Sequence, residues 1–346
     1  MKDGYLAALK KELVDRRDFL AGEDIQTIYF GGGTPSLLSP NEIQSVIECI
    51  RQNFTVATEP EITVEANPDD LSATYIEHLS ETDANRLSIG IQSFDDGYLK
   101  MMNRRHNAQQ AIDAVKQSQS CGFKNTSVDL IYGLPGLAHD MWLKQLQTVE
   151  KLNVQHLSAY HLSYEEGTAF SLKLKQKKLS EDESLEQFET LTQWAKETGF
   201  EHYEISNFAR QGFRSRHNSS YWNRTKYLGV GPAAHSYNQT SRCWNVSDVQ
   251  KYISGIGNGI CVSEEEILTQ ADIFNDYVIT ALRTSDGIDL NYLEKEHPRQ
   301  MVDYLKKQAE SFLRSNKLEI ASNRLKLTHD GIFISDEIME ALLFIG

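Results

Sequence analysis

Residues 28–38 read IYFGGGTPSLL, a short apolar run followed by three consecutive glycines, a threonine and a proline. Glycine lacks a Cβ, so it permits positive φ angles and close approach of the backbone, neither of which a strand interior requires. Downstream, Ser39, Pro40 and Glu42 form the pattern of an N-cap, a first-turn proline and a capping-box glutamate. The glycines therefore lie between a predicted strand and a predicted helix, in either a tight turn or a ligand-binding loop.

Strand patterns recur through the first two-thirds of the chain and alternate with helical patterns. They cover residues 25–30, 61–66, 86–91, 127–131 and 156–162, and end in the sequences GGGTP, EANP, IQSF, DLIYGLPG and HLSYEEGT. Alternating strands and helices predict a parallel sheet, either open or closed into a barrel. Ligands of such sheets bind at the carboxyl ends of the strands, so these endings predict one shared site.

Two carboxylates lie in the interior of these predicted strands. In ITVEA, Ile62 and Val64 lie on one face of the strand and Glu65 lies on the other, where a barrel interior or mouth would be. Asp129 lies within the apolar stretch SVDLIYG in the same way. A buried carboxylate needs a partner or a ligand to offset the loss of its hydration. Both residues are therefore candidates for the predicted site.

Composition excludes several classes of protein. The chain has 346 residues and a net charge of −14, which disfavours a general nucleic-acid surface. It contains no apolar run of about 18 residues, and its start, MKDGYLAALKKEL, is charged and amphipathic. We expect a cytoplasmic protein with no integral membrane segment; peripheral membrane contact stays open. The four cysteines are far apart, as is typical of reduced thiols, and none has metal-ligand spacing to another: Cys49, Cys121, Cys243 and Cys261.

One segment is locally basic. Between Glu204 and Asp248 there is no acidic residue, but there are six basic ones: Arg210, Arg214, Arg216, Arg224, Lys226 and Arg242. A basic segment in an acidic protein indicates an anionic ligand. The alternative is a chance gap in a loop-rich region, because charge distribution constrains the fold only weakly.

The C-terminal third has a different pattern. After YEISNFA and the basic segment, the sequence predicts mostly helix from residue 264 onward. The end reads as a helix at 301–314, a hairpin formed by KLEIA and RLKLT, and a helix at 330–343, which resembles a winged helix. It offers no basic recognition helix, so DNA binding is not predicted. We expect one domain at residues 1–205 and another at 206–346.

Several motifs together carry a resemblance to a known family. They are GGGTPSLLSP, EITVEANPDDL, NRLSIGIQSFDDGYL, VDLIYGLPG, YEISNFAR, HNSSYW and YLGVGPAAHS. In this order they resemble the HemW-type heme chaperones of the radical S-adenosylmethionine (SAM) superfamily, relatives of the oxygen-independent coproporphyrinogen III dehydrogenases. The resemblance implies an α/β fold with a partial (β/α)6 barrel and a smaller, mainly helical C-terminal region. It also implies three cofactors or ligands: SAM, a [4Fe–4S] cluster in intact members, and heme.

The resemblance implies a set of SAM contacts. Gly32, Gly33 and Thr34 would line the methionine part of SAM. Further contacts would come from Glu65, Gln92, Arg104 and Asp129. For each of these residues the alternative is a purely structural role, because polar residues at strand ends also cap neighbouring helices.

The sequence departs from the family at the cluster. The family holds its cluster with a Cys-x3-Cys-x2-Cys loop after the first barrel strand, and this sequence contains no such loop. Its helix LAALKKEL matches the segment after that loop, so we expect a barrel without its first strand and no cluster ligands. Either the sequence is incomplete or it is a genuine short form. We favour incompleteness, because the SAM-side residues are retained and residues 25–30 carry no proline or lysine to protect a strand edge.

The sequence HNSSYW at 217–222 resembles the HNxxYW signature of the heme chaperones. This implies heme binding and transfer to an acceptor protein. His217 is a candidate axial ligand of heme iron, and Tyr221 and Trp222 are candidates for contact with the macrocycle. A purely structural His217 stays an alternative, and His235 is a weaker second candidate ligand. Basic neighbours could pair with the heme propionates: Arg214, Arg216 and Arg224.

Other functions stay open at this point. The main alternative is an oxygen-independent coproporphyrinogen III dehydrogenase, which performs an anaerobic oxidative decarboxylation in porphyrin biosynthesis. A barrel enzyme acting on a phosphorylated substrate and a structural remnant that binds nothing are further alternatives. The sequence assigns no catalytic residue, no heme acceptor and no oligomeric state.

Overall fold

The computed structural model describes residues 1–163 and 179–345. The chain forms two compact units. The first unit contains Met1–Gln26, Ser45–Pro60 and Arg216–Gly346, and the second contains Thr27–Gln44 and Glu61–Ser215. The predicted domain boundary between residues 205 and 206 stays a prediction. Part of the predicted strand ending HLSYEEGT, residues 164–168, lies outside the described residues.

The largest sheet has seven strands. They are β1 (Ile25–Phe30), β2 (Val56–Ala66), β3 (Arg86–Gln92), β4 (Thr126–Tyr132), β5 (His156–His161), β6 (Phe200–Glu204) and β7 (Asn207–Arg210). Their order is β1-β2-β3-β4-β5-β7-β6; β2 to β5 are parallel, and β7 is antiparallel to both β5 and β6. The predicted α/β partial barrel is confirmed, and YEISNFA extends it as the antiparallel hairpin β6–β7.

Helices connect most of these strands. They are α1 (Lys2–Asp15), α2 (Pro40–Asn53), α3 (Ala73–Ser80), α4 (Asp96–Met101), α5 (Ala108–Ser120), α6 (His139–Leu152) and α7 (Glu181–Thr198). Helix α2 begins where the sequence predicts it. The backbone amide of Ser39 donates to Glu42 Oε2 at 2.7 Å, and the amide of Glu42 donates to Ser39 Oγ at 3.3 Å. This reciprocal capping fixes the end of the glycine loop.

The alternation of side chains along β3 separates the core from the site. Leu87, Ile89 and Ile91 are fully buried on one face of the strand. Ser88 and Gln92 lie on the opposite face, together with Arg86 and Gly90. Buried polar side chains need hydrogen-bond partners. We therefore expect a binding site on this polar face of β3.

The first unit contains two small sheets. Strands β8 (His235–Tyr237), β9 (Ser241–Asn245) and β10 (Ser263–Ile267) form one, and β11 (Ile288–Asp289), β12 (Leu318–Ala321) and β13 (Arg324–Leu327) form the other. The remaining helices are α8 (Arg216–Trp222), α9 (Val249–Gly257), α10 (Gln270–Leu282), α11 (Leu290–Glu296), α12 (Arg299–Arg314), α13 (His329–Ile332) and α14 (Ser335–Leu342).

The predicted winged-helix-like end is present as α12 followed by the hairpin β12–β13. Two details differ from the sequence-based expectation. Residues 263–267 form strand β10 rather than helix, because they pair along their whole length with β9. The helix predicted at 330–343 is divided, since the backbone between Ile332 and Ser335 leaves the helical hydrogen-bond pattern.

Among the described residues, no helix has the length and apolar character needed to cross a membrane.

Candidate functional site

A cavity of about 160 Å³ lies in the second unit, at the carboxyl ends of β2, β3 and β4. The glycine loop after β1 also contributes to its wall. Five residues predicted as SAM contacts meet there: Gly33, Thr34, Glu65, Gln92 and Asp129. The other lining residues are Pro35, Ser36, Ala66, Asn67, Ser88 and Gly90. The strand endings GGGTP, EANP and IQSF, and the strand that carries Asp129, thus share one site.

Glu65 is fixed at the cavity by hydrogen bonds from two directions. The hydroxyl of Tyr29 donates to Glu65 Oε1 at 2.5 Å, and the backbone amide of Gly32 donates to Glu65 Oε2 at 3.3 Å. Burial raises the pKa of Tyr29 far above its ordinary value, and the charge of Glu65 raises it further. The phenol therefore keeps its proton and remains a donor, which holds the carboxylate in one orientation.

The consecutive glycines of the loop serve different purposes. A Cβ on Gly31 would clash with the Tyr29 ring and lie 2.9 Å from Glu65 Oε1. Gly32 has a φ of 80°, which L side chains rarely adopt. A Cβ on Gly33 would meet no atom within 4 Å. Gly31 therefore allows close packing, Gly32 permits the turn, and Gly33 adds only a wall of the cavity.

Gly31→Ala is expected to lower the free energy of unfolding by about 1–3 kcal/mol, because the added methyl group must displace Tyr29 or Glu65. Urea denaturation measures this change. Gly33→Ala is the matched control, and we expect it to change stability by less than about 0.5 kcal/mol. Equal effects of the two substitutions would show that the close packing at Gly31 is not what the loop requires.

Asp129 is half-buried at the cavity and has an altered acidity. Burial raises the pKa of Asp129 to about 7, and the charge of Glu65 contributes in the same direction. Hydrogen bonds from Ser158 and Ser88 and the charge of Arg86 partly offset this rise. The cavity thus holds two carboxyl groups, Glu65 and Asp129, and no lysine or arginine among its lining residues. It suits a ligand that carries positive charge.

Gln92 lies at an irregularity of the sheet. Its φ is 70°, unusual for a residue other than glycine, and the register between β3 and β4 shifts between Ile89 and Gln92. A Cβ on Gly90 would lie 3.0 Å from Gln92 Nε2, so glycine leaves room for the amide. Such irregularities change the direction of a side chain and are common at functional sites. Here the Gln92 side chain lies in the cavity wall.

Arg104 is not among the residues that line the cavity. It is half-buried, and burial lowers its pKa, while the charges of Asp69 and Asp129 act in the opposite direction. Its neighbour Arg105 forms ion pairs with Asp69 at 2.6 Å and with Asp70 at 3.2 Å. The role of Arg104 in SAM binding stays a prediction.

Several residues of this site were not predicted from the sequence. Tyr29, which orients Glu65, and Gly31, which makes room for it, had no signal beyond the apolar strand and the glycine run. Ser88 and Gly90 could have been found, because in RLSIGIQ they share the face of Gln92 at a period of two. Asn67 belongs to the quoted ending EANP but was not assigned a role.

The motif HNSSYW forms helix α8 in the first unit. His217 Nε2 lies 3.1 Å from the hydroxyl of Tyr221, one helical turn later, and the two ring centroids are 5.0 Å apart. Tyr221 is 38% exposed. Trp222 packs instead under the guanidinium of Arg283, 4.8 Å from its ring centroid. The structure therefore pairs His217 with Tyr221 and gives Trp222 a different neighbour.

His235, the second candidate heme ligand, is exposed at the start of β8. Its ring centroid lies 6.2 Å from that of Trp244. Among the described residues, no group of three or more histidine, cysteine, aspartate or glutamate side chains is arranged to hold a metal ion. The described residues therefore offer no ligand set for a [4Fe–4S] cluster.

Comparison with known proteins assigns the family. The model of the radical SAM superfamily matches residues 7–149, and that of the HemN C-terminal domain matches residues 268–334. The heme chaperone HemW of Lactococcus lactis is 30% identical over 344 residues, 99% of this chain and 89% of that protein. The chain belongs to the HemW family. The HemW of Bacillus subtilis is also 30% identical, over 99% of this chain and 91% of its own length.

A solved structure agrees with this assignment at the level of the fold. Coproporphyrinogen III oxidase (HemN) from Escherichia coli, described as a radical SAM enzyme, has a TM-score of 0.84 and 22% identity. The match covers 99% of this HemW-family chain and 83% of the other. An identity of 22% establishes a shared fold only. The functional proposal rests on the sequence motifs and on the HemW relatives.

Proposed function

We propose that this HemW-family protein binds heme through His217 and transfers it to an acceptor protein. The observation that carries the proposal is the position of His217 on helix α8, paired with the exposed Tyr221 inside a segment without acidic residues. Imidazole is a common axial ligand of heme iron. The HemW relatives, which match this chain along nearly its whole length, support the same function.

Heme coordination would change the contacts of His217 on α8. His217 Nε2 shares a hydrogen bond with the Tyr221 hydroxyl, so coordination through this nitrogen replaces that bond. Tyr221 is 38% exposed and packs against Tyr227, whose ring centroid lies 4.8 Å away. The Tyr221 ring offers apolar surface to the macrocycle beside the coordinated His217.

The heme proposal is tested by titrating the protein with hemin and recording the visible absorption spectrum. We expect His217→Ala to shift the absorption band of the bound heme and to weaken binding by at least about tenfold. His235→Ala is the control and should leave both unchanged. An unchanged spectrum for His217→Ala would exclude His217 as the ligand, and a shift with His235→Ala would move the assignment there.

We also propose that the cavity of the second unit binds SAM. SAM carries a sulfonium and an ammonium group, and the cavity offers Glu65 and Asp129 to these charges. Gly33, Thr34 and Gln92 supply backbone and amide groups for the remainder of the molecule. Because the described residues provide no ligand set for a [4Fe–4S] cluster, this proposal concerns SAM binding alone.

The remaining predictions on partners and location belong to the same proposal. We infer that the partners are heme and an acceptor protein rather than nucleic acid, because the net charge of −14 disfavours binding to phosphate backbones. A cytoplasmic location is proposed from the four widely separated cysteines, none of which is disulfide-bonded among the described residues.

A further inference from the structure

The basic residues of the acid-free segment differ in their partners. Three form ion pairs with carboxylates from other parts of the sequence: Arg214 with Glu201 at 3.1 Å, Lys226 with Glu23 at 2.5 Å, and Arg242 with Asp276. Two donate to backbone carbonyl oxygens: Arg210 to Val154 at 3.2 Å and Arg216 to Glu59 at 2.8 Å. Within the described part of the chain, Arg224 has no carboxylate partner.

The backbone of Arg224 is held in an unusual conformation. Its φ is 55°, in the left-handed region. Its amide donates to the carbonyl oxygen of Tyr221 at 3.0 Å, and its own carbonyl accepts from Gln239 Nε2 at 3.2 Å. Left-handed backbone at a residue other than glycine persists only where its surroundings enforce it, and it is common at ligand-binding sites. The direction in which the Arg224 side chain leaves the backbone is thereby fixed.

The guanidinium of Arg224 lies among aromatic side chains. Its Nε donates to the Tyr237 hydroxyl at 3.4 Å, and its central carbon lies 5.7 Å from the ring centroid of Tyr277. Aromatic faces hold a guanidinium without using its terminal nitrogens. No described residue forms a hydrogen bond with those terminal nitrogens, which are the pair that binds a carboxylate in a bidentate manner.

A row of aromatic contacts in the first unit leads from His217 to Arg224. The ring of Tyr221 lies 5.0 Å from His217 and 4.8 Å from Tyr227, and Tyr227 lies 6.0 Å from Tyr237. Tyr237 in turn accepts the hydrogen bond from Arg224. The row therefore has the candidate iron ligand at one end and the cation at the other. An apolar ligand with a peripheral carboxylate matches the order of these groups.

His297, which packs against Tyr277, adds no charge next to Arg224. The ring of His297 stacks on Tyr277 with centroids 5.8 Å apart, and only 9% of the residue is exposed. Burial lowers the pKa of His297, and the charge of Arg224 lowers it further, so the imidazole is neutral at pH 7. Its Nε2 is buried and has no hydrogen-bond partner among the described residues.

We propose that Arg224 binds a propionate carboxylate of the heme, and that this contact selects heme over uncharged porphyrins. The inference deepens the proposed function and rests on it. Two guanidinium N–H groups would donate to the two carboxylate oxygens, while His217 occupies the iron at the other end of the aromatic row. Charge-assisted bidentate pairs are strong and geometrically specific, so this contact would also fix the orientation of the macrocycle.

The test combines a protein variant with a ligand variant. Wild-type protein, Arg224→Gln and Lys226→Gln are each titrated with hemin and with hemin dimethyl ester, whose propionates are uncharged. Lys226→Gln is the matched control, because it removes one positive charge from the same segment and the same unit, at a cation already paired with Glu23. We expect Arg224→Gln to weaken hemin binding about tenfold and Lys226→Gln to leave it unchanged. Arg224→Gln and the wild type should bind the ester with equal affinity.

The outcomes separate this inference from the function on which it rests. If the wild type binds hemin and depends on His217, while Arg224→Gln and esterification change nothing, the role of Arg224 is wrong and heme binding stands. If Arg224→Gln weakens the binding of hemin and of the ester equally, Arg224 is only structural. If Arg224→Gln does not fold, equal affinity of the wild type for hemin and its ester still overturns the inference. Absence of binding by the wild type overturns both proposals.

Discussion

Asp129→Asn is expected to make the protein more stable at pH 8 and to weaken its binding of SAM by more than about tenfold. The folded state raises the pKa of Asp129 to about 7, chiefly by burial. Between about pH 4 and pH 7 the unfolded chain is therefore ionised at this residue while the folded protein holds the proton, so stability falls as pH rises through this window. Asparagine does not titrate, and the substitution removes this loss, up to about 4 kcal/mol at pH 8.

The same substitution removes one of the two carboxyl groups that face the cavity. We expect the affinity for SAM to fall by more than about tenfold, because the cationic ligand loses an opposite charge in a poorly hydrated site. Urea denaturation at pH 4.5 and pH 8 and calorimetric titration with SAM measure the two effects. Asp113→Asn, at an exposed position of α5, is the control and should change neither. A stability gain equal at both pH values would contradict the burial of an ionisable Asp129.

Glu12→Ala is expected to destabilise the first unit by about 3–5 kcal/mol. Glu12 is 1% exposed and accepts hydrogen bonds from Asn245 Nδ2 and the Tyr252 hydroxyl, each at 2.7 Å, and from the Gly231 amide at 2.9 Å. Arg16 forms an ion pair with it at 3.3 Å. Removing the carboxylate leaves these buried donors without their acceptor, and each unsatisfied group carries a desolvation penalty.

The change in unfolding free energy is measured by urea denaturation. Asp15→Ala is a suitable control, because Asp15 lies on the same helix and forms an exposed ion pair with Lys11. Exposed pairs contribute about 0–1 kcal/mol, so the control should have little effect. A loss below about 1 kcal/mol for Glu12→Ala would show that the hydrogen bonds to its carboxylate do not hold the first unit together.

The predictable part of the fold came from local periodicity. The pattern of residues 25–66 gives β1, the glycine loop, the capped helix α2 and the end of β2, because each depends on neighbours in the sequence. Strand β10 was missed: SEEEI has little intrinsic strand preference and forms a strand only because β9 pairs with it. The hairpin β6–β7 was not predicted from YEISNFA, and its position beside β5 depends on a long-range pairing without a local signal.

The site was predictable to a similar degree. Glu65, Gln92 and Asp129 follow from strand position and from the family resemblance, and the structure places all three on one cavity. The hydrogen bond from Tyr29 to Glu65 was not predictable, because it depends on the relative position of two strands. Likewise, nothing near Arg224 in the sequence distinguishes it from Arg214; the difference lies in which carboxylates the fold brings to each.

The most direct test of the central proposal is an absorption titration of the wild-type protein with hemin. The proposal predicts saturable binding with a single equivalent of heme per chain and a visible spectrum distinct from that of free hemin. A spectrum that stays equal to that of free hemin throughout the titration would contradict it.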